Sequence, residues 1–148
     1  LRGQFKGDYF SRFNLTQTDS PQLENAPFAP TGVKGQVRAQ ITSMLLDAMK
    51  QGSIEAVICR APEFYGPGKT QSITNSTIID ALIAGKSAKV FLRDDVKRSL
   101  IYTPDASRAI ALIGNTPDTY GQTWHLPCDD NRLNYRQFIE LAAEVFQF

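Results

Sequence analysis

The run Ala56-Val57-Ile58-Cys59, inside the segment IEAVICRA (residues 54–61), places no polar residue at alternate positions. A strand with one wet face alternates apolar and polar side chains, whereas a strand covered on both faces reads as a continuous apolar run. Directly upstream, Val37, Ile41, Met44, Leu45, Ala48 and Met49 follow helical spacing, which predicts an amphipathic helix over residues 34–51 stopped by Gly52. A helix that feeds a face-covered strand is half of a βαβ unit, so the chain is constrained to an α/β fold with parallel strands.

The rest of the chain supplies further elements of both kinds. Phe5, Tyr9, Phe10 and Phe13 precede TQTDSPQLENAPFAPTG, whose Pro, Asn, Asp, Ser and Thr read as loop. Ile73, Ile78, Ile79, Leu82 and Ile83 predict a helix over residues 72–84, ended by Gly85. AKVFLRD (88–94) reads as a short strand before a charged turn, and residues 100–102 as another strand. Asp105 is expected to cap a helix over 106–114, QTWHLP (122–127) to form a last strand, and Asn134 to cap a final helix with Phe138, Leu141, Ala142 and Val145 on its apolar face.

No GxGxxG or GxxGxxG turn is present, and the final helix is still apolar where the sequence stops. The chain is therefore expected to be a piece of a longer protein: a fragment of a Rossmann-type doubly wound sheet plus a small mixed α/β lobe. Residues 1–71 are expected to belong to the sheet fragment and residues 72–148 to the lobe.

Sixteen Lys and Arg are interspersed with fifteen Asp and Glu, for a formal net charge of +1, so nothing favours nucleic acid or an anionic membrane surface as a partner. The only cysteines, Cys59 and Cys128, make no disulfide framework, and no run approaches the length of a bilayer span. The expectation is a cytoplasmic protein. His125 is the single histidine and lacks partners at metal-ligand spacing, while Ser99 and Ser107 have no base at a recognisable distance in the sequence.

Several segments, taken in order, resemble the NAD(P)-dependent epimerase/dehydratase family, the extended branch of the short-chain dehydrogenase/reductases. Arg60 stands where the family ends a strand with Arg, Glu63 stands where the following loop usually carries Asn, and Phe64-Tyr65-Gly66-Pro67-Gly68 complete that loop. KRSLIYTPDASRAIALI (97–113) resembles the family's next segment, and GQTWHLPCDD followed by LNYRQFIELA resembles its ending. The resemblance extends over roughly residues 20–146.

What the resemblance implies is a hydride-transfer site, with residues 1–71 the C-terminal part of the dinucleotide-binding domain and residues 72–148 the substrate-binding lobe. It puts Arg60, Pro62, Glu63 and Phe64 beside the nicotinamide, Tyr65 on the substrate side, and Arg98 at a position that contacts substrate phosphates in many relatives. The sequence departs from the family at the catalytic pair: in KGQVRAQI, Lys34 takes the Tyr position and Arg38 the Lys position. A Lys can accept a proton only if burial or a neighbouring cation depresses its pKa, while an Arg stays charged and serves as a ribose or phosphate contact. Four-residue spacing puts both on one helical face, and a solvated face is the alternative for both. Arg98 reads equally as part of a solvated turn, and Arg60 as a residue held by carbonyls or an ion pair. Glu63 beside a diphosphate would be unfavourable.

The implied cofactor is NAD or NADP in the intact protein. The implied partners are a small-molecule substrate, the missing N-terminal part of the same protein and a second copy, with no nucleic acid and no membrane. The implied activity is NAD(P)-dependent oxidoreductase or epimerase chemistry on a nucleotide-sugar-like or other secondary alcohol or ketone. A non-catalytic dinucleotide-binding or protein-interaction relative is the alternative.

Overall fold

The computed structural model describes residues 23–30, 32–68, 70–91 and 93–147. Phe5, Tyr9, Phe10 and Phe13 lie outside them. Helix α1 spans Val33–Lys50, and the chain leaves it through Gly52, whose φ of 70° suits a residue without Cβ. Strand β1 is Ile58–Arg60 and β2 is Glu63–Tyr65. A π-helical turn, Asn75–Ile79, runs into the short α2, Asp80–Ile83. Strand β3 is Leu100–Tyr102, α3 is Thr103–Gly114, β4 is Thr123–His125 and α4 is Tyr135–Phe146.

The strands form two parallel pairs. Strand β1 lies beside β4 with Ile58 opposite Thr123 and Arg60 opposite His125. Strand β2 lies beside β3 with Glu63 opposite Leu100 and Tyr65 opposite Tyr102. Parallel neighbours need a crossover: the π turn and α2 lie between β2 and β3 along the chain, and α3 lies between β1 and β4. Both pairings join residues on opposite sides of position 71, so the expected division of the sequence there is bridged by hydrogen-bonded strands.

Two apolar clusters hold the layers. One gathers Ile78 and Leu82 with Tyr135, Phe138 and Ala142 of α4; the other gathers Ile101, Ala106 and Leu126. Helix α4 is set by a capping box: the Asn134 side chain accepts from the Gln137 N–H at 2.8 Å, and Gln137 Oε1 accepts from the Asn134 N–H at 3.1 Å.

Three expectations are corrected. Strand β1 is shorter than 54–61 and only half-buried, because it pairs with β4 alone among the described residues. Residues 88–91 and 93–94 form no strand: the Lys89 N–H donates to Thr77 O, a helical carbonyl, instead of a ladder, and Phe91 is 76% exposed. Asp105 does not cap α3, which begins two residues earlier with Pro104 in its first turn; its carboxylate instead takes Arg108 one turn on. Among the described residues no helix is long and apolar enough to cross a membrane.

Candidate active site

The centre of the site is the end of β2 and the turn after it. Gly66 has a φ of 143°, and a Cβ there would run into Thr103 Oγ1 and approach Tyr102 Cδ2 to 3.2 Å. Only glycine lets the chain pass so close to the β3–α3 junction. The π turn opens with Asn75, which grips this loop in both directions: its Nδ2 donates to Gly66 O at 2.7 Å and its Oδ1 accepts from the Gly66 N–H at 3.0 Å. Ser72 Oγ in turn accepts from the Asn75 N–H at 2.9 Å.

Glu63 does not face solvent; it is 1% exposed. Its Oε1 accepts from the Thr74 hydroxyl, and its Oε2 accepts from the Tyr135 hydroxyl at 2.5 Å. Burial of a carboxylate is tolerated when its lone pairs are used in this way. The same contact acts on the phenol. Burial first, and then the hydrogen bond and charge of Glu63, push Tyr135 up to about 12. Arg98, 2% exposed, lays its guanidinium over the Tyr135 ring 4.9 Å from the centroid, and its backbone N–H donates to Leu133 O at 2.9 Å. One buried cluster therefore ties β2, the π turn, the approach to β3 and α4 together.

The remaining predicted site residues divide between this cluster and other places. Tyr65 packs edge-on against Phe138 at 5.5 Å and tilted against Tyr102 at 5.6 Å, and burial raises its pKa, with smaller contributions from Asp105, Asp129 and Tyr102. Pro62 is buried and Phe64 packs against the Ile101 cluster. Arg60 turns to the segment before α1: Nη1 donates to Glu24 O at 3.2 Å and the guanidinium lies 5.0 Å over Phe28. Burial lowers its pKa, opposed by the Glu24 charge. His125, its neighbour across β1 and β4, is buried.

Lys34 and Arg38 are both exposed, one turn apart on α1, and Gly35 between them is the buried residue of that helix. Burial of the Lys34 amine would have to come from groups beyond the described residues. An exposed pair of cations one turn apart can donate to hydroxyl or phosphate oxygens. Among the described residues no group of His, Cys, Asp and Glu could hold a metal ion.

Sequence reasoning missed Thr74, Asn75 and Tyr135. The available signal was the pair Thr74-Asn75 inside an isoleucine-rich helical segment, where two short polar side chains just after a Gly-Pro-Gly turn compete for loop hydrogen bonds. Tyr135, immediately after the Asn134 cap, carried no signal beyond its helix position.

In fold, the chain is similar to UDP-N-acetylglucosamine 4-epimerase from Methanobrevibacter ruminantium M1, solved in complex with UDP-N-acetylmuramic acid (TM-score 0.76, 16% identity, over 97% of this chain and 46% of that one). It is also similar to dTDP-glucose 4,6-dehydratase from Bacillus anthracis str. Ames in complex with NAD (TM-score 0.70, 17% identity, 85% and 40%). RMD from Pseudomonas aeruginosa, complexed with NADPH, gives a TM-score of 0.70 at 19% identity over 97% of this chain and 48% of that one. The chain thus spans less than half the length of each of these structures. No curated protein matches it in sequence. The family model for the NAD dependent epimerase/dehydratase family matches residues 14–126, well over half of the chain and including α1, both strand pairs and the Glu63 loop, and the chain belongs to that family.

Proposed function

We propose that this chain is the nicotinamide-side and substrate-lobe portion of an NAD(P)-dependent oxidoreductase or epimerase that acts on a secondary alcohol or ketone. The observation that carries this reading is the pair Lys34 and Arg38, exposed one turn apart on α1, where the resemblance aligns them with the family's Tyr and Lys. NAD or NADP, when bound, supplies the hydride acceptor or donor. Arg38 holds ribose hydroxyls as a fixed fork of donors, and Lys34 holds or moves the proton at the reacting hydroxyl oxygen. Arg60, Pro62, Glu63 and Phe64 form the strand-to-loop crossing that backs the nicotinamide, with Tyr65 and Arg98 on the substrate side. Val33, Val37, Ile41 and Met44, an exposed apolar stripe on α1, offer a surface for the remainder of a longer chain or for a second copy. Half-buried free thiols at Cys59 and Cys128 suit a reducing, cytoplasmic setting.

The exposure of Lys34 favours a second reading, a relative that binds dinucleotide without turning it over. Titrating NADH and NADPH onto the full-length protein separates the two. Arg38→Ala is expected to weaken cofactor affinity by about 1.5 to 3 kcal/mol, with Arg38→Lys recovering part of it. Lys34→Met is expected to lower turnover by about 100-fold to 10,000-fold with little change in cofactor binding. Cofactor binding without turnover in the wild type supports the second reading, and no cofactor binding sinks both.

A further inference from the structure

Strand β2 is held at both ends by two consecutive residues of one helical segment. Thr74, 0% exposed, donates its hydroxyl to Glu63 at the start of the strand. Asn75, 3% exposed, donates to Gly66 O at 2.7 Å and accepts from the Gly66 N–H at 3.0 Å, just past the strand's end. Resting on the oxidoreductase reading, we propose that Asn75 is a positioning residue of that site: through Gly66 it fixes the loop that backs the nicotinamide, and with it the surroundings of the reacting ring.

The ladder between β2 and β3 stops at Tyr65 opposite Tyr102, because the next residue of the neighbouring strand, Thr103, already opens α3. Asn75 takes over from there. A carboxamide carries an acceptor and a donor side by side, so it can do what a neighbouring peptide does, accepting from an N–H while donating to a C=O. Asn75 uses both on the single residue Gly66, which fixes the direction of the chain as it leaves the strand. Gly66 has a φ of 143°, where residues with a side chain rarely go, and such a conformation persists only when its surroundings over-determine it.

Asn75 is itself immobilised. Its N–H donates to Ser72 Oγ at 2.9 Å, and its carbonyl accepts from the Asp80 N–H, the bond five residues on that makes this a π turn. Ile78 of the same turn is buried in the cluster with Tyr135 and Phe138. The carboxamide is therefore carried on a turn anchored in the core, which is the kind of support that holds a loop to a fraction of an ångström.

The test uses the full-length protein with NADH and NADPH as probes, together with hydrogen exchange of the Gly66 amide. Asn75→Asp keeps the outline of the side chain and the acceptor for the Gly66 N–H, but sets a second acceptor against Gly66 O. Ser72→Ala, at a half-buried position, leaves the carboxamide in place and loosens only its anchor. Exchange at Gly66 is expected to speed up at least about tenfold in Asn75→Asp and about two- to threefold in Ser72→Ala. Emission from a reduced nicotinamide comes from the ring alone, whereas affinity is spread over ribose and phosphate contacts. Asn75→Asp is thus expected to shift the emission of the bound cofactor while its Kd changes by less than about threefold, with a smaller shift of the same sign in Ser72→Ala. Asn134→Ala, which removes the α4 capping box, controls for lost stability alone and should leave that emission as in the wild type.

Unaltered emission in both Asn75→Asp and Ser72→Ala overturns the inference, as does an equal shift in Asn134→Ala, which would trace it to general loosening. Should Asn75→Asp not fold, Ser72→Ala decides: unchanged exchange and unchanged emission there overturn the role. Absence of NADH and NADPH binding in the wild type sinks the oxidoreductase reading together with this role, whereas cofactor binding with indifferent variants sinks the role alone.

Discussion

The exposed stripe of α1 and the interior of the α4–β2 module are built from similar material and end in opposite states. On α1, Val33, Val37, Ile41 and Met44 share a helical face, yet Met44 is 71% exposed and Gly35 is the helix's buried residue. On α4, Tyr135, Phe138 and Ala142 recur with the same spacing and are all buried, against Ile78 and Leu82 of the helical segment after β2. Of the apolar face expected for α4, Phe138 and Ala142 close while Leu141 and Val145 stay exposed; the closed part has a partner in the described chain and satisfied polar groups at its edge, Asn134 by Gln137 and Tyr135 by Glu63. Helical amphipathicity announces that a face wants burial; it does not say what buries it.

The strongest attempt to break this contrast is removal of the residue on which the closed module depends. Tyr135→Ala takes out a buried ring and one donor of a buried carboxylate, and is expected to cost about 3 to 5 kcal/mol in urea unfolding. A loss below about 1 kcal/mol would mean that Glu63 and Arg98 do not rely on it. The pH dependence sharpens the same point. Tyr135 is raised from 10.0 to about 12, so the folded state keeps a proton that the unfolded state releases. The stabilisation is fully present below pH 10.0, falls as pH rises and is gone by about 12. Over that window the wild type should lose about 2 to 3 kcal/mol more than Tyr135→Phe, measured by denaturant midpoints at stepped pH. Parallel curves for the two proteins would refute it.

Smaller effects are expected at the loop. Gly66→Ala forces a left-handed φ and a collision with Thr103, at a cost of about 1 to 3 kcal/mol, and a shift of the thermal midpoint reports it. Asn134→Ala removes the capping box of α4 and should cost about 1 kcal/mol; retention of full stability would show that tertiary contacts alone hold the helix start. The smallest effect belongs to α1. Met44→Ser is expected to change the stability of this chain by no more than about 0.5 kcal/mol, because the side chain is already in water. A large destabilisation there would erase the contrast between the two helices.

Much of this arrangement was legible in the residues. Helix α1, the β3 strand, β4 and the Asn134 cap were all readable because each depends on neighbours a few positions away: apolar spacing, a glycine stop, an Asn with Gln three residues on. Residues 88–91 and 93–94 misled because a short apolar run has no strand state without a ladder to join, and they join none among the described residues. Asp105 misled because Pro104 allows the helix to begin before it.

By itself, then, the sequence determined the order and kind of most elements, though not strand β2, which it presented as loop, nor residues 88–94, which it presented as strand; it also set the glycine-bearing turn after β2 and the placement of two cations on one face of α1, all through local backbone preference and periodicity. Only the tertiary structure decided that strands on either side of position 71 pair in parallel, that α1 keeps its apolar stripe exposed, and that Glu63 turns inward to Thr74 and Tyr135. The reason is distance along the chain. Glu63 and Tyr135 are 72 residues apart, and no periodicity or propensity couples positions so remote; a buried carboxylate and a buried phenol find each other only when packing removes water from both.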